Sequence, residues 1–294
     1  MKVIYKNKTS TDIYKNNIDI VKKMVNEFSE LLDFDLNLKV YFVPINNEDN
    51  DTAAGVVRKD DKWFILNIYD CAFNSCKYSI ETVIFHEFAH IYDIYHTFMN
   101  ESFNCIGDKG KKNSLENLIK CKGFSYWTEF FAHYKCFENE LCSLSTADTL
   151  LQLVQKYKKI IDKQSEVDSM INDGENIKNI KSEISEIVKL INQFIYSSSR
   201  YIASLTFRKS LYEYSEKHTT KKEFNDVIKI NSDLYRLISK MTHGTYGKYL
   251  GKRLYKLGSY IFDEIYARFN IRMYIHKSSI GYEYMLENNE IKEK

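Results

Sequence analysis

Proline is almost missing from this chain: Pro44 is the only one in 294 residues, and glycine occurs ten times. So few breakers leave room for long helices, above all past residue 145. Nowhere do 18 apolar residues follow one another, so no membrane-spanning helix is expected. Polar residues follow Met1-Lys2-Val3-Ile4-Tyr5-Lys6, where a secretion signal would have an apolar core. An excess of charge of one sign is lacking too. The 42 Lys and Arg against 40 Asp and Glu leave a net charge of +2, which gives no strong field toward nucleic acid or a membrane surface. No two of the six cysteines form a CxxC pair, and their spacing is irregular. With no secretion signal, they are expected to be reduced thiols of a cytoplasmic protein.

What is present is ordinary for a globular protein: 44% hydrophobic and 28% charged residues. The length allows one large domain or two modest ones. Residues 1–144 hold 17 basic and 21 acidic residues, and residues 145–294 hold 25 and 19, a mild asymmetry that supports two modules.

Residues 12–33 carry an apolar stripe (Ile13, Ile18, Ile20, Val21, Met24, Val25, Phe28, Leu31 and Leu32) and are expected to be helical. Leu38–Val43 alternates like a strand and stops at Pro44. Two more strands are expected at 53–58 and 62–68, joined by a tight turn at Asp60-Asp61. A helix is expected over 79–98, a polar loop over 100–122 and a helix over 126–139. Past 145 the pattern becomes helical throughout. Ile177, Ile180, Ile184, Ile187, Ile191 and Phe194 repeat in steps of three and four, a seam expected to close an intramolecular hairpin with a helix over 149–171 across a turn at Asn172–Asn176. Further helices are expected over 196–217, over 221–241 and, after a loop at 242–247, up to Asn270. The expected fold class is α+β: a catalytic domain over 1–145 (helix, small mixed sheet, two site helices), then an all-α domain over 146–294 that selects substrate or regulates access.

The chemistry is concentrated in His86-Glu87-Phe88-Ala89-His90. Histidines four apart on a helix project from one face, close enough to hold one metal ion. Zinc accepts imidazole nitrogen and needs a third protein ligand plus an open position for water. Glu87, beside the first histidine, is placed to take a proton from that zinc-bound water and deliver it to a leaving amine. Val83, Ile84, Phe85, Phe88, Ala89 and Ile91 surround the motif with apolar surface, where two histidines and an acid need a reason to be buried. The third ligand has two candidates. His96 lies ten residues after His86, the metzincin spacing, but Asp93 stands where that pattern has the glycine that turns the chain. Glu129, one acid among the aromatics of Tyr126-Trp127-Thr128-Glu129-Phe130-Phe131, would be costly to bury unless it met a cation, and is the better placed. Asp93, on the ligand face, can accept a ligand histidine's free N–H or can be a plain helix aspartate.

His86-Glu87-Phe88-Ala89-His90-Ile91-Tyr92-Asp93 with a later Glu129-Phe130-Phe131-Ala132 resembles the gluzincin metallopeptidases, among them lethal-factor-type catalytic domains and ImmA/IrrE-type small peptidases, over residues 35–140. The resemblance implies a zincin-like fold, one Zn²⁺ per chain on His86, His90 and Glu129, and Glu87 as general base. It also implies an oxyanion-stabilising tyrosine upstream of the glutamate. Lys122 stands at the corresponding spacing, and Tyr126, nearer the ligand, takes the expectation, with His133, His243 and Tyr246 as alternative donors. The expected activity is hydrolysis of a specific protein or peptide, with no nucleic acid and no membrane as partner. The strand at 62–68 is the expected edge for pairing with an extended peptide. Two alternatives remain: a catalytically silent module whose helical half binds a partner, and a metzincin-like enzyme using His96.

Overall fold

The computed structural model of the chain describes residues 2–44, 53–60, 63–74, 78–100, 114–141, 146–208, 222–239, 241, 249–276, 279–285 and 290–292. Two compact units emerge. One comprises Met1–Met99 with Phe131–Ser143, the other Asn100–Phe130 with Leu144–Lys294.

The first unit is a small mixed sheet with helices. Strand β1 (Lys2–Asn7) leads into helix α1 (Thr11–Ser29), whose N-terminus is capped by Ser10 Oγ accepting the Ile13 N–H at 3.3 Å. The chain returns through β2 (Asn37–Val43), and β3 (Ala54–Arg58) and β4 (Trp63–Tyr69) follow. The sheet order is β1-β2-β4-β3, with β1 and β4 parallel to β2 and β3 antiparallel to β4. Because side chains alternate across a strand, Leu38, Val40 and Phe42 of β2 and Phe64, Leu66 and Ile68 of β4 all point to one face, fully buried. Each contributes about 1.5–3 kcal/mol of apolar transfer free energy. The stripe Val21, Val25 and Phe28 of α1 is buried as well, and the Phe28 ring meets Phe85 edge-on at 5.1 Å. The short helix α2 (Cys71–Asn74) then leads toward α3 (Ile80–Asn100).

Two expectations change here. β1 was not anticipated, because a six-residue run interrupted by lysines shows little periodicity. More consequentially, β4 lies inside the sheet between β2 and β3, so the expected edge at 62–68 is a central strand. Its even-numbered residues are buried by its place in the sheet, and β3 is the strand at that edge. Asp60 Oδ1, after β3, accepts the Trp63 N–H at the start of β4 at 2.9 Å; Asp61, the other residue of the expected turn, lies outside the described residues.

Helix α4 (Leu115–Glu138) begins well before the expected 126, with Ser114 Oγ accepting the Asn117 N–H at 3.2 Å. In the second unit, α5 (Thr146–Asn172) and α6 (Ile177–Arg208) form the expected hairpin. Gly174 turns the chain between them at φ +70°, and Ile180, Ile184, Ile187, Ile191 and Phe194 are buried along the seam. α6 does not break near 196. Ser199, Ser204 and Thr206 return their hydroxyls to carbonyls three or four residues back, so a polar run that suggested a break sits inside one long helix. α7 (Lys222–Ile238) and α8 (Leu250–Tyr260) follow, and α8 continues through a π-helical turn (Ile261–Tyr266) and a 3₁₀ turn (Ala267–Phe269). Asn270, at φ 59°, ends the run.

The expectation of an all-α second half is corrected by what comes next. β5 (Ile271–His276), β6 (Ser279–Met285) and β7 (Glu290–Lys292) form an antiparallel sheet in the order β5-β6-β7. The β-branched and aromatic residues of Ile271–Met285, with Lys277-Ser278 between the two strands, carry a hairpin signal that the surrounding helical pattern obscured. Tyr284, fully buried, donates its hydroxyl to Asp168 of α5 at 2.8 Å. The protein is therefore α+β, with a small mixed sheet. Among the described residues no helix is long and apolar enough to cross a membrane.

Candidate metal centre

Helix α3 starts where Ser79 Oγ accepts the Thr82 N–H at 3.1 Å. Thr82 Oγ1 in turn donates to Leu141 O at 2.8 Å, beyond the end of α4. α4 closes with Glu140 in the left-handed region (φ 57°) and the Leu141 N–H on Cys136 O at 2.9 Å, so that the Leu141 carbonyl faces the start of α3. The Tyr92 ring of α3 stacks on Phe131 of α4 at 6.1 Å with 9° between planes. The two helices are thus held by a cap at one end and an aromatic contact further along.

α3 is buried on most sides: Val83, Ile84, Phe85, Phe88, Ala89, Ile91 and Ile94 are each under 8% exposed. His86 is half-buried and His90 buried, with their Nε2 atoms 3.0 Å apart. Four residues of α-helix put both imidazoles over one spot, as their spacing requires. Glu129 of α4 brings a carboxylate to the same place. One ligand atom from each of His86, His90 and Glu129 lies within 4.8 Å of the others, a separation that permits one ion to be held by all three. The donor set, two imidazole nitrogens and one carboxylate, suits a divalent metal ion.

Around this group the expected residues divide. Glu87 is buried at 7% exposure, one residue after His86 and so about 100° further round the helix, where it borders the site without joining the ligand set. Asp93 is completely buried on the same helix, two turns after His86. His133, one turn after Glu129, sets its ring 4.6 Å from that of His86 at 51°.

His96 goes elsewhere. α3 runs unbroken through Asp93, and His96 Nε2 meets Asp33 Oδ1 at 2.9 Å, with its ring among those of Phe34, Tyr92 and Tyr95. Without a glycine to turn the chain, the helix carries His96 away from the other two histidines. Tyr126 is engaged as well: it is 1% exposed, and its hydroxyl meets Ser198 Oγ at 3.2 Å. Burial pushes that phenol far above its ordinary range. Lys122, at the spacing expected for the tyrosine, donates to Asn192 Oδ1 at 2.5 Å, and burial lowers its ammonium to about 8. His243 and Tyr246 lie outside the described residues.

Sequence reasoning missed the features that seat α4. Gly123 is the clearest: it falls between the expected loop at 100–122 and the expected helix at 126–139, so nothing nearby marked it as the interior of a helix. A Cβ there would sit 2.0 Å from Leu254 O. The described cysteines Cys71, Cys121 and Cys136 stand as thiols. No protein-family model, no curated protein and no solved structure matches this chain.

Proposed function

We propose that the chain is a zinc-dependent endopeptidase of the gluzincin type, with His86, His90 and Glu129 as metal ligands and Glu87 as general base. The observation that carries this reading is the convergence of two histidines and a carboxylate from two different helices, with a buried glutamate next to the first histidine. A site serving only structure has no use for that extra acid.

His86, His90 and Glu129 would hold the zinc ion, which when bound would supply Lewis acidity to a water and to the peptide carbonyl. Glu87 takes the proton of the attacking water and passes it to the amine nitrogen as the C–N bond breaks. Its burial in apolar surroundings strengthens that exchange, because little solvent competes for the carboxylate. The expected oxyanion donor Tyr126 has its hydroxyl committed to Ser198, so the role passes to His133, whose imidazole lies beside His86. Asp93 accepts the free N–H of a ligand histidine and fixes its tautomer. The substrate is an extended peptide. β3 ends the sheet with its outer edge unpaired by any described strand, the arrangement that peptide addition to a sheet uses.

Elemental analysis of the purified protein, together with peptide hydrolysis followed by mass spectrometry, tests this reading. One zinc per chain, lost in Glu129→Ala and kept in His96→Ala, together with cleavage abolished in Glu87→Gln, is the expected result. A wild-type protein that takes up no zinc on reconstitution sinks it and favours a silent binding module.

A further inference from the structure

Glu129 is carried by α4, and the unit that contains Glu129 also contains a backbone grip on that helix. α4 and α8 cross backbone to backbone at Gly123 and Gly258. A Cβ on Gly258 would lie 1.9 Å from Ile119 O, and one on Gly123 would lie 2.0 Å from Leu254 O and 2.9 Å from Gly258 N. Every one of these atoms is main chain, so a methyl group cannot be accommodated by rotating a side chain; a helix has to move. Both glycines are buried in ordinary helical conformation. They incur the usual cost of glycine in a helix interior and return no left-handed turn for it. The close crossing is what they provide.

The same stretch of α4 is held by three polar contacts. Lys122 Nζ donates to Asn192 Oδ1 of α6 at 2.5 Å, and the Tyr266 hydroxyl, beyond α8, donates to the same oxygen at 2.8 Å. Ser125 meets the Tyr196 hydroxyl at 3.2 Å, and Tyr126 meets Ser198, which donates to Asn231 of α7 at 2.6 Å. All these contacts fall between Ile119 and Tyr126, and Glu129 follows within one turn. Six residues of one continuous helix, about 9 Å, separate Gly123 from Glu129, so the crossing lies close to the carboxylate along the same helix.

We propose that the Gly123–Gly258 crossing and the Lys122–Asn192–Tyr266 lock position Glu129 as the third metal ligand, so that metal affinity depends on residues of α6 and α8 that touch no metal. Gly123, Gly258 and Asn192 are positioning residues acting through Glu129. The proposal rests on the reading of His86, His90 and Glu129 as a metal centre.

The test is a double-mutant cycle on the full chain. Wild type, Gly258→Ala, Glu129→Ala and the double variant are titrated with zinc against a competing chelator and with Co²⁺ by visible absorption. Far-UV circular dichroism verifies the helices. Gly258→Ala is expected to lower zinc affinity about tenfold or more, and to change the Co²⁺ ligand-field band toward that of Glu129→Ala. In the Glu129→Ala background it is expected to cost nothing further, because the ligand it positions is already gone. Wild-type affinity in Gly258→Ala overturns the proposal, and so does an equal loss in both backgrounds, which would mark a general loosening of the fold. Should Gly258→Ala not fold, Asn192→Ala, which takes the acceptor from Lys122, enters the same cycle with the same expectations. Absence of metal binding in the wild type is seen before any variant is compared, and removes the metal centre along with the proposal.

Discussion

α3 and α4 furnish the candidate centre in opposite ways. α3 brings two donors at once: the histidines share a face because they are four residues apart in one helix, and their Nε2 atoms lie 3.0 Å apart. α4 contributes one carboxylate, and the helix that carries it is gripped by a crossing of Gly123 with Gly258 and by a lysine whose partner, Asn192, lies 70 residues on. Short-range geometry makes one half of the site robust, whereas long-range packing makes the other half conditional. A helix that brings its own ligand pair tolerates change around it, and a helix that brings a single ligand has to be aimed.

This contrast can be broken or sharpened by experiment. The largest effect is expected on α3: Glu87→Gln lowers peptide hydrolysis about 10²–10⁴-fold while elemental analysis finds zinc unchanged. Loss of metal in that variant would mean that Glu87 belongs to the ligand set. On α4, Glu129→Ala weakens zinc binding by at least about 100-fold in a chelator competition. His96→Ala leaves it unchanged, since His96 is paired with Asp33. In the seam that anchors the helical unit, Ile184→Ala costs about 2–5 kcal/mol in urea unfolding, because its side chain is fully buried among α5 and α6.

The lock on α4 also has a pH signature. Burial lowers Lys122 to about 8, below its ordinary 10.5, so the fold favours the neutral amine. Stability from this group therefore rises as pH climbs from about 8 to about 10.5, and the full penalty, at most about 3 kcal/mol, applies below 8. Unfolding at pH 7 and pH 9.5 measures it; Lys122→Met is expected to flatten that rise, and an unchanged slope would show that other groups cause it. The smallest effect belongs to the exposed pair at the far end of α3. Asp33→Asn changes stability by less than about 1 kcal/mol, as solvent screens the His96–Asp33 contact.

The HExxH helix and the alternating strands β2 and β4 were legible because their signals repeat within a few residues, and the α5–α6 seam because its period extends over several turns. The longer α4 was hidden behind a polar start, and β5 and β6 behind a run of helices whose pattern they interrupt only briefly. For the sheet order, β4 shows the limit. Its alternation predicts a strand with one buried face but cannot say which strands flank it, since edge and centre differ only in the partners the chain brings from elsewhere. At the site, the group His86, His90 and Glu129 could be named from chemistry and spacing. Tyr126 could not be judged the same way, because nothing near it in the chain points to Ser198, seventy-two residues on, as the partner of its hydroxyl.

The sequence by itself determined the elements whose causes are local: the histidine pair, the apolar faces of α1, α3 and α6, and the cap and turn residues Ser10, Ser79 and Gly174. Helical and strand periodicities are written in consecutive residues, so no distant contact is needed to read them. Only the tertiary structure decided that β4 is central, that His96 turns to Asp33, that Tyr126 is buried against α6, and that Glu129 comes within 4.8 Å of the histidines. Those outcomes depend on where one rigid element lies against another. That is set by the sum of many packing contacts along the whole chain, and no single stretch of residues contains it.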